Sequence, residues 1–172
     1  MQYIHEIIDA LNKIEQIYIK LPAAHNVTGL IRERVFCYEF YHQMRQNFTL
    51  NQLTVISGEI DKRGYPQFKK QNPDFVFHVP GSSKGNALVC EVKGDIRRPG
   101  VKKDLESIFY FIEKQNYRLG LFIAFGMSAM QLKQKAGDTI NAFSKRKCAD
   151  RVLIVTIPQS GWCEDATSLN IF

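Results

Sequence analysis

The sequence predicts a single α/β domain in which a mixed β-sheet is flanked by α-helices. Apolar residues make up 45% of the 172 residues, which is enough for one buried core. Helix-like and strand-like periodicities alternate along the chain without a repeat or a long linker. Three strand-like segments follow one another directly, which favours an antiparallel meander, and later strands are separated by helices, which favours parallel pairing.

The N-terminal part of the chain is predicted to form two helices. Apolar side chains at helical spacing indicate a helix over residues 1–20, which ends at Leu21-Pro22. This helix is expected to be an extension of a core that belongs to one domain over residues 1–172. Residues 25–28 are predicted as a polar loop, and Thr28 is expected to cap a second helix that ends near Gln46.

The rest of the chain supplies the predicted sheet and its other helices. The three consecutive strands are predicted at 52–60, 74–79 and 87–93, with a turn at 61–64 and a loop at 80–86. After a loop at 95–100, the pattern predicts a helix at 101–115, a strand at 119–125, a helix at 128–147 and a strand at 151–157. No element is predicted for the tail from Pro158 onward.

Charge and composition narrow the functional classes. The net charge of +6 suits a polyanionic partner such as nucleic acid, but it equally suits a basic protein without one. Residues 1–20 lack the continuous apolar run of a signal peptide, and no segment of membrane-spanning length is free of charges. The four cysteines lie far apart, so we expect no Cys-x-x-Cys zinc pair and a cytoplasmic location.

The candidate catalytic residues lie on two neighbouring strands. Asp74 begins one strand, and Glu91 and Lys93 share one side of the end of the next, because side chains alternate along a strand. The midpoint between positions 74 and 91 falls in the 80–86 loop, so a hairpin brings Asp74 beside Glu91 and Lys93. Taken alone, Glu-x-Lys is better interpreted as a solvated strand end. The Pro-Asp start, the hairpin spacing and the apolar strand before Glu91 together favour a catalytic site.

This group of side chains predicts metal-dependent hydrolysis of a phosphodiester. Two neighbouring carboxylates repel each other, and a hard divalent cation relieves that repulsion by binding oxygens from both. Magnesium bound in this way keeps several waters, one of which is activated as a nucleophile. Lys93 is expected to orient that water or to stabilise the charge on the attacked phosphate. We expect Mg²⁺ as the cofactor, with Mn²⁺ able to substitute.

The segments Asn72-Pro73-Asp74 and Glu91-Val92-Lys93, joined by a short hairpin, resemble the motif of the PD-(D/E)xK nuclease superfamily. That superfamily includes restriction endonucleases, Holliday-junction resolvases and defence nucleases. The order of elements over 29–157 is similar to its core, and segments 58–63 and 117–126 resemble uncharacterised bacterial members. The resemblance implies a restriction-endonuclease-like fold, Asp74 and Glu91 as metal ligands, and Lys93 as the residue that assists the nucleophilic water.

Members of this superfamily often add a glutamate from the preceding helix, and Glu33 and Glu39 compete for that role. With a turn of about 100° per residue, an apolar cluster surrounds the direction of Glu33, whereas Glu39 lies nearer the polar face. The residues of that cluster are Phe36, Cys37, Phe40 and Met44. A carboxylate on an apolar stripe is costly unless something compensates it. Glu33 is therefore predicted to reach the metal or its water, and the alternative is a salt bridge at the edge of the stripe.

Four basic residues follow the candidate site and are candidate nucleic-acid-binding residues: Arg97, Arg98, Lys102 and Lys103. Cations near a helix N-terminus oppose the helix dipole, and an anion such as a backbone phosphate would relieve this. The alternative is an ordinary solvated loop.

The sequence thus predicts a magnesium-dependent endonuclease that acts on DNA. Two alternatives remain open at this point. The domain could bind nucleic acid or another partner with little turnover, or it could be a subunit of a larger restriction or defence assembly. A homodimer is compatible with each of these functions, and no membrane partner is expected.

Overall fold

The computed structural model describes residues 4–24, 26–47, 54–58, 72–94, 96, 98–159 and 167–168. Within these ranges the helices are α1 (Ile4–Asn12), α2 (Gln16–Ile19), α3 (Glu33–Asn47), α4 (Arg98–Lys114) and α5 (Ala129–Ser144). The strands are β1 (Leu21–Ala23), β2 (Asn26–Leu30), β3 (Val55–Gly58), β4 (Phe75–His78), β5 (Leu88–Lys93), β6 (Leu119–Phe125), β7 (Val152–Ile157) and β8 (Thr167–Ser168). None of the helices in the described part of the chain has the length and apolar character needed to cross a membrane.

The main sheet is mixed, as the order of elements predicts. Its strand order is β3-β4-β5-β6-β7-β8. Strands β3, β4 and β5 form an antiparallel meander, and β5, β6 and β7 are parallel. The two-residue strand β8 pairs antiparallel with β7, and β1 and β2 form a separate hairpin. The predicted class, an α/β domain with a mixed sheet, is therefore confirmed.

Two hydrophobic clusters fill the space on the two faces of the sheet. On one face, α1 and α3 cover the side chains of Cys90 and Val92, and Phe36 stacks on Phe125 with ring centroids 4.1 Å apart. On the other face, α4 and α5 cover side chains such as Val89. Because side chains alternate along β5, the side chains of Glu91 and Lys93 point to the opposite face from those of Cys90 and Val92, toward α4. The α4 face is thus the side on which a polar site forms.

The single helix predicted over residues 1–20 is wrong, because α1 ends at Asn12 and α2 begins at Gln16. Glu15, which precedes α2, has an extended backbone with φ −67° and ψ 148°. The break allows Ile14 and Ile19 both to be buried in the cluster that α1 and α3 share. Helix α1 therefore contributes to the main core of the domain.

The polar loop predicted at 25–28 and the cap predicted at Thr28 are also wrong. Residues 26–30 form β2, which pairs with β1 through Leu21 and Leu30, and α3 begins only at Glu33. The hairpin is close-packed, since a Cβ atom at Gly29, where φ is +70°, would lie 2.9 Å from the Lys20 side chain. Strand pairing with β1 thus outweighs the local capping preference of Thr28. Residue 25 lies outside the described residues.

The later elements follow the predictions more closely. Strand β6 has the predicted bounds, and Ser128 caps α5 together with Gln131 in a reciprocal capping box. Helix α4 begins at Arg98, inside the loop predicted at 95–100, because Pro99 is favourable in the first turn of a helix. Helix α5 ends at Ser144, three residues before the predicted end. The turn predicted at 61–64 and the outer residues of the strand predicted at 52–60 lie outside the described residues.

Candidate active site

The hairpin of β4 and β5 brings Asp74 beside Glu91. Phe75 pairs with Cys90 in the antiparallel register, so Asp74, one residue earlier, lies next to Glu91, one residue later. The Val92 backbone N–H donates a hydrogen bond of 2.7 Å to Asp74 Oδ2. This bond fixes the Asp74 carboxylate against the end of β5.

Asp74, Glu91 and Lys93 line one cavity of about 230 Å³ between the ends of β4 and β5 and helix α4. The other lining residues are Asn72, Lys103, Asp104 and Ser107. Glu91 is only 6% exposed, although it is a carboxylate at the end of an apolar strand. The cavity therefore gathers several charged groups that are largely withdrawn from water.

Helix α4 contributes two cavity residues, Asp104 and Ser107, that we did not predict from the sequence. Both are buried, with 8% and 4% exposure. Asp104 lies on the same helical stripe as the buried residues Val101 and Ile108. A carboxylate on an apolar stripe is the signal that singled out Glu33, and the same reasoning applied to α4 finds Asp104.

Lys93 forms ion pairs with two carboxylates. Its Nζ lies 3.3 Å from Asp104 Oδ2 and 3.4 Å from Glu33 Oε2. Glu33 Oε1 also accepts a hydrogen bond of 3.3 Å from the Gly94 backbone N–H. Glu33 is not among the described residues that line the cavity. The structure therefore brings Glu33 to Lys93 and to the end of β5, while Glu39, the competing candidate, accepts a hydrogen bond of 2.6 Å from Gln43 Nε2 on its own helix.

Burial governs the acidity of the cavity carboxylates. It raises the pKa of Asp74 to about 6; the charges of Asp104 and Glu33 act in the same direction, whereas the Val92 N–H and Lys93 lower it. Burial also raises the pKa of Glu91 well above its usual range, and the charge of Asp74 adds to this effect. The pKa of Asp104 is raised by burial as well, although Lys93 opposes the shift. Such a cluster favours uptake of either protons or a cation.

Lys93 remains an ammonium group in this environment. Burial lowers the pKa of Lys93, but the charges of Asp104 and Glu33 and their hydrogen bonds outweigh this effect, and the net shift is upward. Lys93 is consequently a hydrogen-bond donor and a fixed positive charge, and it is not a general base near neutral pH.

The cavity offers a metal ion two carboxylates, fewer protein ligands than a closed metal site requires. Among the described residues, no group of three or more His, Cys, Asp or Glu side chains stands close enough together to hold a metal ion. Asp74 and Glu91 remain as two carboxylates beside one cavity. Magnesium usually binds through one or two carboxylates and completes its shell with waters and phosphate oxygens. The pair therefore suits magnesium better than a metal that requires a cage of protein ligands.

The four predicted phosphate-binding residues have different positions. Lys103 lines the cavity. Lys102 is exposed, and its Nζ lies 3.9 Å from Glu106 Oε1 one turn along α4. Arg98 is the first residue of α4, but its side chain lies outside the described residues, as does Arg97. The structure thus places Lys103 at the site and Lys102 on the outer surface of the helix.

Comparison with known proteins provides no relative with which to compare this cavity. No family model, curated protein or solved structure matches the chain. A function for the cavity is therefore inferred from its own residues: buried acids, an ammonium group held between two carboxylates, and a second lysine at the wall.

Proposed function

We propose that this protein is a magnesium-dependent nuclease that hydrolyses phosphodiester bonds of DNA at the cavity beside β4 and β5. The observation that carries the proposal is the placement of Asp74, Glu91 and Lys93 around one cavity at the paired ends of two antiparallel strands. The meander of β3 to β5, followed by parallel β6 and β7, also suits the restriction-endonuclease-like fold that the sequence motif implies.

The charge of the cavity supports a requirement for a metal. Three carboxylic acids and two lysines line it: Asp74, Glu91, Asp104, Lys93 and Lys103. The Glu33 carboxylate contacts Lys93 from outside the cavity. Ionised acids in such a site repel a phosphodiester, which itself carries a negative charge. A divalent cation between Asp74 and Glu91 reverses this repulsion. A nuclease in which the metal enters with the phosphate accounts for the excess of buried acids.

The residues of the chain divide the chemical work between them. Asp74 and Glu91 would hold the magnesium, which supplies positive charge and an acidified water when it is bound. The Val92 N–H orients the Asp74 carboxylate. Lys93, fixed from two sides, donates a hydrogen bond to the attacking water or to a phosphate oxygen as negative charge develops there. Lys103 provides a second positive charge at the wall of the cavity for a backbone phosphate.

A cleavage assay tests the proposal. Plasmid, single-stranded and branched DNA are each incubated with the protein in Mg²⁺, Mn²⁺ or a chelator, at a stated salt concentration. We expect metal-dependent cleavage by the wild type, and a loss of more than about 100-fold in Asp74→Asn and Glu91→Gln. Glu39→Gln is the matched control, because it removes a carboxylate from α3 outside the cavity. The wild type and Asp74→Asn cutting DNA equally well would contradict the proposal, because the activity would then come from a contaminant. DNA binding that needs neither metal nor Asp74, without turnover, would instead identify a binding module.

A further inference from the structure

A second cavity borders the candidate active site on the α3 face of the sheet. It has a volume of about 360 Å³, and its lining residues are Cys37, Tyr38, Tyr41, Gly58, Asp74 and Phe75. Asp74 lines both this cavity and the charged one. The two cavities therefore meet at the residue that precedes β4, and we call the second one the tyrosine groove.

The tyrosine groove exposes two aromatic rings, one of which packs on a buried ring. Tyr38 is 67% exposed and Tyr41 is 38% exposed, whereas Phe75, which packs against Tyr41, is buried. The Tyr41 and Phe75 rings are nearly parallel, at 10°, with centroids 6.4 Å apart, and Phe40 meets Phe75 edge-on at 5.5 Å. The absence of a side chain at Gly58 leaves space beside Phe75, since a Cβ there would lie 3.3 Å from that ring. The groove thus presents exposed aromatic surface on a packed base.

Packing of the hydrophobic core does not explain why Tyr38 and Tyr41 are exposed. Helix α3 buries its stripe of Phe36, Phe40 and Met44 against the sheet, and the two tyrosines lie outside that fully buried set. Four large hydrophobic side chains are exposed in the described part of the chain, and two of them belong to this one groove. Exposed aromatic side chains that cluster beside a charged cavity are typical of a binding surface.

We propose that the tyrosine groove binds an unpaired nucleobase of the nucleic acid whose phosphate enters the candidate active site. The inference rests on the proposed function and deepens it by naming the substrate class: single-stranded or locally unpaired DNA. Because Asp74 belongs to both cavities, an occupant that reaches from one to the other needs a flat apolar group next to a phosphate. A nucleotide has that chemistry, and its base has two faces available for stacking only when it has left the duplex.

Stacking on tyrosine is strong enough to be measured. A base stacked on an aromatic side chain strengthens binding by roughly 5- to 150-fold, with little dependence on the base sequence. The contribution belongs to the base and not to the backbone, so it separates from the salt-dependent attraction between phosphates and lysines. Removal of the bases while the phosphates are kept therefore isolates the role of the groove.

Fluorescence anisotropy with labelled oligothymidylate and with an abasic oligonucleotide of the same length tests the inference at fixed salt, with Ca²⁺ in place of Mg²⁺ to neutralise the cavity carboxylates. We expect the wild type to bind oligothymidylate at least about 5-fold more tightly than the abasic strand. Tyr38→Ala and Tyr41→Ala remove this preference, and Tyr38→Phe retains it because the ring remains. Met130→Ala is the matched control, since Met130 is 71% exposed on α5 away from the groove.

Equal affinity of the wild type for the two strands would overturn the inference, and so would a preference that survives in both alanine variants. Tyr38 is exposed, so Tyr38→Ala keeps the test informative even where Tyr41→Ala disturbs the packing on Phe75. Metal-dependent cleavage without base preference would support the proposed nuclease and contradict base binding in the tyrosine groove. A tyrosine-dependent base preference without cleavage in any metal would support base binding in the tyrosine groove and contradict the proposed nuclease.

Discussion

Glu33 and Asp104 approach the same lysine from opposite faces of the sheet. Glu33 begins α3 and lies 3.4 Å from Lys93 Nζ, and Asp104 lies on α4 at 3.3 Å from the same atom. Their surroundings differ: the Glu33 side chain is 40% exposed, whereas that of Asp104 is 11% exposed and lines the cavity. One acid therefore holds Lys93 from the surface, and the other holds it from inside the candidate site.

The difference shows which ion pair has the larger effect on the protein. An exposed carboxylate is well solvated with or without its partner, so its ion pair adds little to stability. A buried carboxylate that loses its partner must be neutralised or remain as an uncompensated charge, which is costly. We therefore expect the stability of the protein to depend strongly on the ion pair between Asp104 and Lys93. The ion pair between Glu33 and Lys93 is expected to contribute only a small adjustment to the position of Lys93.

Removal of the shared cation is expected to have the largest effect. Lys93→Met keeps an apolar stem but leaves Asp104 without its partner, so we expect the free energy of unfolding to fall by about 3 kcal/mol. In the proposed nuclease, cleavage of DNA is expected to fall by about 10²- to 10³-fold, since the positive charge that would face the phosphate is lost. Urea denaturation and single-turnover cleavage measure the two effects.

A second substitution in the Lys93→Met background shows which of the two acids causes the loss of stability. Addition of Asp104→Asn to Lys93→Met should restore much of the stability, because the uncompensated buried charge is removed, whereas Glu33→Gln in the same background should restore little. Lys133→Met, on the exposed face of α5, is the control and should change stability by less than about 0.5 kcal/mol. Equal recovery with either acid variant would show that Glu33 and Asp104 are equivalent partners of Lys93, and would contradict the larger role expected for the buried acid.

The single variants Asp104→Asn and Glu33→Gln distinguish the roles of the two acids in the proposed nuclease. Asp104→Asn is expected to lower kcat by about 10- to 100-fold with a small change in KM, because Lys93 loses the partner that holds it in the cavity. We expect only a few-fold reduction for Glu33→Gln, since Asp104 still fixes Lys93. Steady-state cleavage at saturating magnesium measures both, with Glu39→Gln as the control. A larger loss in Glu33→Gln than in Asp104→Asn would place the more important acid outside the cavity.

The parts of the fold that were predicted well are those with a strong local pattern. The apolar run over 119–125 predicts the bounds of β6, and the helix predicted from residue 128 begins at Ala129 in the structure. The short hairpin of β1 and β2 was missed, because its pairing depends on partners that a local capping preference at Thr28 does not reveal. The break between α1 and α2 was missed because the apolar periodicity continues across it.

The site was only partly predictable for a related reason. The alternation of strand residues and the hairpin spacing were sufficient to place Asp74, Glu91 and Lys93 around one cavity. Asp104 and Ser107 come from a helix that crosses the sheet, so their approach depends on the packing of α4 against β5. The apolar stripe favoured Glu33 over Glu39, but it did not reveal that the partner of Glu33 would be Lys93.

The smallest expected effect is a pH dependence that belongs to the acids inside the cavity. The pKa of Asp74 is about 6 in the folded protein, above its ordinary value of 3.8, so the folded state binds the proton more tightly than the unfolded state does. Its contribution to stability is therefore complete below pH 3.8 and is lost as the pH rises through 6. Between pH 5 and pH 8 this loss amounts to about 1 kcal/mol for Asp74, and the raised pKa of Glu91 acts in the same direction.

Urea denaturation in chelator at these two pH values measures this slope. Asp74→Asn should remove the share that belongs to Asp74, because an amide does not titrate. Saturating magnesium should stabilise the wild type more at pH 8 than at pH 5, since a cation and a proton compete for the same carboxylates. A slope that is unchanged in Asp74→Asn would mean that the pH dependence arises from groups other than Asp74. Asp74 would then behave as an exposed carboxylate, and the distinction between the buried and the exposed side of Lys93 would be weakened.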